Sequence, residues 1–297
     1  MAETGFPGLL EPEGIASLTP RTFDRIRQLV YEAAGIELKN GKEQMVSARL
    51  SRKLRENRCS TYEEYLRTVE SDRTGAQLVS LIDALTTNFT SFMRETAHFD
   101  FLRETILPKL MNRRQIDFWC AAAATGEEPY SLLFTMLDAT SRPGQPQCRL
   151  LATDISTRAL AAARKGVYPA ERLASCSREW LPKYLLRGDG DFSGLYQVKP
   201  EVARLVEFRR LNLVEAFDPG QTFPLISCRN VMIYFDRPTQ ERVVSRLSLF
   251  LEPGGYLFVG HSERLAGINH SLRLVKPAIY QKTGSAEPIR GGTNLWK

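Results

Sequence analysis

From about residue 88 onward, short apolar or β-branched runs alternate with stretches patterned as helices, and this alternation constrains the fold more than any other feature. The runs are QIDFWCA, CRLLATD, LVEFRRL, FPLISCRN and GGYLFVG; the helical stretches are EPYSLLFTMLDAT, TRALAAARKG and TQERVVSRLSLFL. Strands alternating with helices predict an α/β fold with a doubly wound, mostly parallel sheet covered on both faces. In such sheets a ligand binds beyond the carboxyl ends of the strands, near a topological switch point.

The chain ahead of this region has a different texture. Residues 19–87 read as all-helical. TPRTFDRIRQLVYEAAG carries a Thr cap signal, Pro20 in the first turn, and Phe23, Ile26, Leu29 and Val30 at helical spacing. A second helix is expected from about Lys42 to Asn57, with Met45, Val46, Ala48, Leu50 and Leu54 on its apolar side. A third opens at STYEEYLRTV, where Ser60 is the expected cap and Glu63 completes a capping box. Within the alternating region, residues 166–204 (GVYP, RGDGDFSG, YQVKPEV) break the pattern with turn signals and predict a small β-rich insertion. The expected organisation is therefore a flexible start at 1–18, a helical domain at 19–87, the sheet domain at 88–282 and a loose tail at 283–297.

Composition excludes several classes. No apolar run approaches the roughly 18 residues of a transmembrane helix. The opening MAETGFPGLLEPEG has acids and no basic region, unlike a signal peptide, so a cytoplasmic protein is expected. The five cysteines form no CxxC pair and the histidines number three, so no metal site is expected. The net charge of +6 suits an acidic partner. It is concentrated in SARLSRKLRENR, where Arg49, Arg52, Lys53, Arg55 and Arg58 stand against a single acid. That face is either plain solvated surface or a docking surface.

The stretch FWCAAAATGEEPYSL, 118–132, lies where the first strand runs into a helix. Its small residues let a ligand approach the backbone, and Gly126 permits a positive-φ turn. Glu127, Glu128 and Pro129 are good helix-start chemistry in their own right. Two carboxylates there would repel a pyrophosphate, and neither GxGxxG nor GxxxxGK[ST] is present. The next strand ends in Asp154, an acid placed to hold ribose hydroxyls. A ribose with no phosphate cradle, together with a cation, points to S-adenosylmethionine.

Four blocks in order resemble the CheR family of chemotaxis-receptor glutamate O-methyltransferases: LTTNFTSFMRE (85–95), AAAATGEEPYS (121–131), SCRNVMIYFD (227–236) and LEPGGYLFVGHSE (251–263). The similarity runs from about residue 20 to 282. It departs at Met93, where the family often has Phe, and at Ala124, where it often has Ser. The resemblance implies a class I, Rossmann-like methyltransferase. It would transfer a methyl group from S-adenosylmethionine to glutamate side chains of chemoreceptors, leaving S-adenosylhomocysteine, with no metal.

By the same resemblance, Asn88, Thr90 and Arg94 would reach the cofactor from an apolar, helical segment, against a plainer reading as cap residues and a solvated arginine. Glu128, Asp154, Asn212, Leu213, Arg229 and Asn230 would complete the cofactor site, with Asn212 and Leu213 flanking the adenine. Arg94 and Tyr234 would orient the acceptor carboxylate. Arg49, Arg52, Lys53 and Arg55 would dock the receptor's cytoplasmic methylation helices, and the β-rich insertion resembles that of members that capture a receptor C-terminal pentapeptide. A monomer with no nucleic-acid partner, reaching the membrane only through the receptor, is the expected state. The [D/N]PPY-type motif of base N-methyltransferases is absent, RNVMIYF standing in that region. A cofactor-binding sensor or scaffold without transfer activity is the remaining alternative.

Overall fold

The computed structural model describes residues 17–283, so the termini expected to be loose lie almost wholly outside the described residues. Four helices come first: α1 (Pro20–Ala34), α2 (Glu43–Glu56), α3 (Tyr62–Ser71) and α4 (Ala76–Leu85). Phe23, Ile26, Val30, Val46, Leu50, Leu54, Tyr65 and Leu81 form their shared core. Thr19 caps α1, its hydroxyl accepting from the Thr22 amide at 3.2 Å.

Three expectations here are corrected. The cap of α3 is Thr61, not Ser60, and Glu64 closes the box rather than Glu63. Glu63 instead turns to α1 and accepts from the Thr22 hydroxyl. On α2, Ala48 is exposed and Ser51 is buried, because Ala48 lies about 200° around the helix from Val46. Ser51 satisfies its hydroxyl on the Ser47 carbonyl at 2.6 Å. Residues 86–96 are an irregular loop and not a helical segment, with left-handed φ of 53° at Met93 and 60° at Glu95.

A broken helix follows, α5 (Ala97–Phe101) and α6 (Leu107–Leu110) with a π turn between them. The sheet domain then runs β1 (Gln115–Cys120), α7 (Glu127–Ala139), β2 (Gln147–Asp154) and α8 (Thr157–Lys165). The insertion supplies β3 (Val167–Pro169), α9 (Trp180–Tyr184), β4 (Leu185–Arg187), β5 (Leu195–Val198) and α10 (Pro200–Ala203). The domain closes with β6 (Val206–Arg210), β7 (Phe223–Ser227), α11 (Arg237–Leu249), β8 (Leu251–Phe258), β9 (Leu272–Lys276) and β10 (Ile279–Lys282).

The main sheet has the order β6-β2-β1-β7-β8-β10-β9. Pairing is parallel from β6 through β8 and antiparallel at β10 and β9. The last two strands make an edge hairpin that the alternation pattern did not reveal. Along β1, Phe118 and Cys120 join the core on one face, while Trp119 and the following Ala121 join the core on the other. This two-sided burial is why the strands are apolar at successive positions. The insertion is a small antiparallel sheet of order β3-β5-β4.

The chain winds outward from β1 through β2 to β6, then crosses back to β7 on the other side of β1. The switch point therefore lies between β1 and β7, and the carboxyl ends of β1, β2 and β7 open onto one crevice.

Candidate functional site

A cavity of about 340 Å³ occupies that crevice. Asn88, Thr90, Arg94, Glu128, Asp154, Asn212, Leu213, Arg229, Asn230 and Tyr234 all line it. Five separate stretches of chain thus meet at the carboxyl edge of the sheet.

Ala121 and Ala123 are buried in the turn after β1, which limits the size of their side chains. Ala121 donates to the Ser227 carbonyl at 2.7 Å and Ala123 to the Thr153 carbonyl at 2.9 Å, so the loop continues the strand pairing on both sides. Gly126 then takes φ of 101° to cap α7. A Cβ there would stand 2.4 Å from the Tyr168 hydroxyl and 3.0 Å from the Ala163 Cβ, so glycine is required by space as well as by dihedral.

The two adjacent acids divide their work. Glu127 is fully buried and faces away from the cavity, pairing with Arg172 of the insertion and accepting from the Thr125 hydroxyl at 2.6 Å. Glu128 faces the cavity. It accepts from the Ser227 hydroxyl at 2.6 Å and pairs with Arg229 at 3.0 Å.

Arg229 lines the cavity but is largely engaged within the protein. Its side chain is 1% exposed, and its two Nη groups bond to Glu128, to Glu95 at 3.1 Å and to the Arg94 carbonyl, while Nε has no partner among the described residues. It is a strut that ties the 86–96 loop to β7 and α7 at the cavity wall. Asn212 is also partly committed: its amide donates to the Ala33 carbonyl at 2.7 Å and to Glu215 at 2.8 Å.

Asp154 accepts from the Ala124 amide at 2.8 Å and the Ser156 amide at 2.9 Å. Burial nonetheless pushes its carboxyl above the usual range. One oxygen binds each amide, and each keeps a second lone pair for a ligand hydroxyl. The donor set fits S-adenosylmethionine: a diol acceptor at Asp154, a carboxylate at Glu128 already balanced by Arg229, and no phosphate-binding loop between them.

Several residues that matter here escaped the sequence reading. Glu263, from GHSE, accepts from the amides of Asn230 at 2.7 Å, Gly260 at 2.6 Å and Ile233 at 3.2 Å. It holds the 230–234 turn that carries Tyr234, and Asn230 has a left-handed φ of 58° within it. The α1–α2 linker supplies a wall of the cavity through Ile36, Glu37 and Leu38. Its Glu37 amide donates to the Tyr234 carbonyl at 2.8 Å. Gly35 allows this, since a Cβ there would meet Val214 Cγ1 at 2.6 Å. None of these contacts follows local periodicity, so no local signal marks them.

Glu95, His98 and His261 converge beside Arg229, with their ligating atoms within 4.8 Å of one another. Burial would raise the Glu95 carboxyl, but the Arg229 charge and the His261 amide more than offset it, and its pKa falls. Burial and Arg229 push His98 down to about 4. The guanidinium occupies the side of Glu95 that a cation would need.

The first turn of α2 reaches the cavity through Met45, but its basic residues Arg49, Arg52, Lys53 and Arg55 do not line it. Arg49, expected to dock a partner, is instead spent on the Leu85 carbonyl at 2.7 Å and the Thr87 hydroxyl at 3.0 Å, anchoring the loop that leads to Asn88. Arg52 and Lys53 pair with Glu56 at 2.8 Å, and Arg55 is exposed.

Two family models match in tandem: the CheR methyltransferase all-alpha domain over residues 21–86 and the CheR methyltransferase SAM binding domain over 88–280. The chain belongs to the CheR methyltransferase family. Among its relatives, chemotaxis protein methyltransferase 2 of Pseudomonas aeruginosa is 40% identical, covering 88% of this chain and 93% of that protein. The chemotaxis protein methyltransferase of Klebsiella aerogenes is 43% identical over 90% of this chain and 91% of that one. The Escherichia coli protein of the same name is 38% identical over 92% and 94%. This CheR chain is thus an S-adenosylmethionine-dependent methyltransferase with the two domains of its family. No described helix is long and apolar enough to cross a membrane.

Proposed function

We propose that this chain methylates glutamate side chains of chemoreceptors in the cytoplasm, giving glutamate 5-O-methyl esters and S-adenosylhomocysteine. The observation that carries the reading is the convergence of Asp154, Glu128, Arg94 and Tyr234 on one cavity at the sheet's switch point. S-adenosylmethionine, when bound, supplies an electrophilic methyl group on a sulfonium.

A glutamate acceptor is ionised at neutral pH, with a pKa of about 4.3. It therefore needs no general base, and a neutral thioether leaving group needs no acid. The protein's task is alignment for in-line attack. Arg94 and Tyr234 orient the acceptor carboxylate. Arg94 is half-buried, and its Nη1 donates to the Phe89 carbonyl at 3.1 Å. That bond fixes the guanidinium while leaving donors for a substrate oxygen. Asp154 holds the ribose, Asn88, Thr90, Leu213 and Asn230 shape the cofactor pocket, and Glu128 with Arg229 sets its floor.

Arg52 and Arg55 on α2 are exposed, and with half-buried Lys53 they steer the acidic receptor helices. The small β3-β5-β4 sheet has free edges at β3 and β4, where a receptor C-terminal pentapeptide adds as a strand.

The deciding experiment incubates the protein with methyl-labelled S-adenosylmethionine and receptor cytoplasmic fragments, then tests for base-labile volatile label. Label released by base identifies carboxyl methyl esters. Base-stable label would sink the glutamate reading.

A further inference from the structure

Of the nine large apolar side chains that are exposed among the described residues, two line this cavity, Phe89 and Ile233. Phe89 is the most exposed of the nine, at 78%; Ile233 is 49% exposed. Each is attached to one of the two residues assigned to the acceptor carboxylate. The Arg94 guanidinium lies 5.8 Å from the Phe89 ring centroid and donates to the Phe89 carbonyl. Ile233 immediately precedes Tyr234, and its amide is held by buried Glu263 at 3.2 Å. Both are therefore presented on fixed backbone rather than on loose tips.

The same mouth carries cations. Lys39 and Lys42 line it along with Arg94, against one exposed acid, Glu37, so the rim is net positive. The rim thus combines apolar surface with positive charge, a pattern that fits an acidic segment presenting an apolar side chain beside its target carboxylate. An exposed aromatic next to a cationic pocket gains by being covered when such a segment docks.

We propose that Phe89 and Ile233 form an apolar collar that seats the acceptor polypeptide by covering an apolar side chain next to the target glutamate. This rests on the chemoreceptor reading above. The collar acts on recognition of the acceptor; the cofactor is held deeper, at Asp154 and Glu128. Free glutamate, or an acidic segment with only polar neighbours, lacks the group the collar takes up.

The test uses the full chain loaded with S-adenosylhomocysteine. The dissociation constant for a receptor cytoplasmic fragment is measured by calorimetry, alongside KM and kcat with S-adenosylmethionine. Phe89→Ala is expected to weaken fragment binding and raise KM by about tenfold, and Phe89→Ala with Ile233→Ser by more. Phe89→Leu restores most of the binding, since apolar area rather than the aromatic ring is required. S-adenosylhomocysteine affinity stays within about twofold throughout, a range below the tenfold step expected for the fragment. Unchanged fragment binding in Phe89→Ala overturns the collar. So does loss of S-adenosylhomocysteine affinity in step with fragment binding, which would make Phe89 part of the cofactor pocket. A wild-type protein that binds the fragment but yields no base-labile ester sinks the glutamate chemistry and leaves the collar to be judged on binding alone.

Discussion

At the residue scale, Arg94 and Arg229 show that two arginines in one cavity do different jobs. Arg94 keeps guanidinium donors free, so Arg94→Ala should lower kcat by about 100-fold through lost alignment. Its melting temperature should stay within about 2 °C, as for other partly exposed positions. Near-wild-type kcat would remove Arg94 from the reaction. Arg229 is sealed between Glu128 and Glu95. Arg229→Met leaves two carboxylates without their counter-charge, and urea unfolding should show a loss of about 3–5 kcal/mol. His98 adds a pH dependence. It packs against Phe258 and faces Glu95, His261, Arg229 and the Ala278 carbonyl. Its folded pKa of about 4 lies below the free value of 6.5, so the folded state binds fewer protons than the unfolded chain. The stability it contributes is complete above pH 6.5 and is lost as pH falls toward 4. Denaturation curves for His98→Phe should lack this component, amounting to about 3 kcal/mol across the window.

At the element scale, the β1–α7 turn is the piece on which most depends. It continues strand pairing to β2 and β7, starts α7, and receives the insertion through the Tyr168 hydroxyl, which donates to the Thr125 carbonyl at 2.8 Å. Gly126→Ala would strain a left-handed dihedral and press a methyl group onto Tyr168. A loss of about 2–3 kcal/mol is expected by urea unfolding, together with weaker S-adenosylhomocysteine binding because Glu128 shifts with the helix start. A stability change within 0.5 kcal/mol, the range of ordinary surface substitutions, would mean the turn can relax.

At the scale of the whole molecule, the helical domain is both a wall of the cavity and a charged outer surface. The α1–α2 linker bonds to Tyr234, and Tyr31 donates to Asp236 at 2.7 Å, so the domain is fastened to the reacting end of the sheet. α2 begins at the cavity, where its Met45 is part of the lining. Arg52→Glu with Lys53→Glu should therefore raise KM for receptor fragments by about tenfold at low salt, the effect shrinking as ionic strength rises. An unchanged KM would leave α2 as scaffold.

The sequence by itself determined the helical N-terminal region and the alternating strands and helices at the centre of the sheet, because periodicity and capping act over a few residues. It also placed Asp154 at a strand end and Glu128 at a helix start, the latter inside one of the CheR-like blocks. Other features were decided only in the tertiary structure. The 86–96 loop reads as helical from its apolar content, yet Arg229 and the pocket pin it in an irregular path. Arg49 reads as a docking cation and Arg229 as a cofactor-facing one; that carbonyls and carboxylates from distant elements also take up their Nη groups is visible only in the fold. Glu263, Gly35 and the linker wall act through partners that are remote in the chain, and the edge hairpin depends on pairing between segments. Local pattern encodes which faces must be buried; which charged groups meet across the fold depends on chain reversals that no short window records.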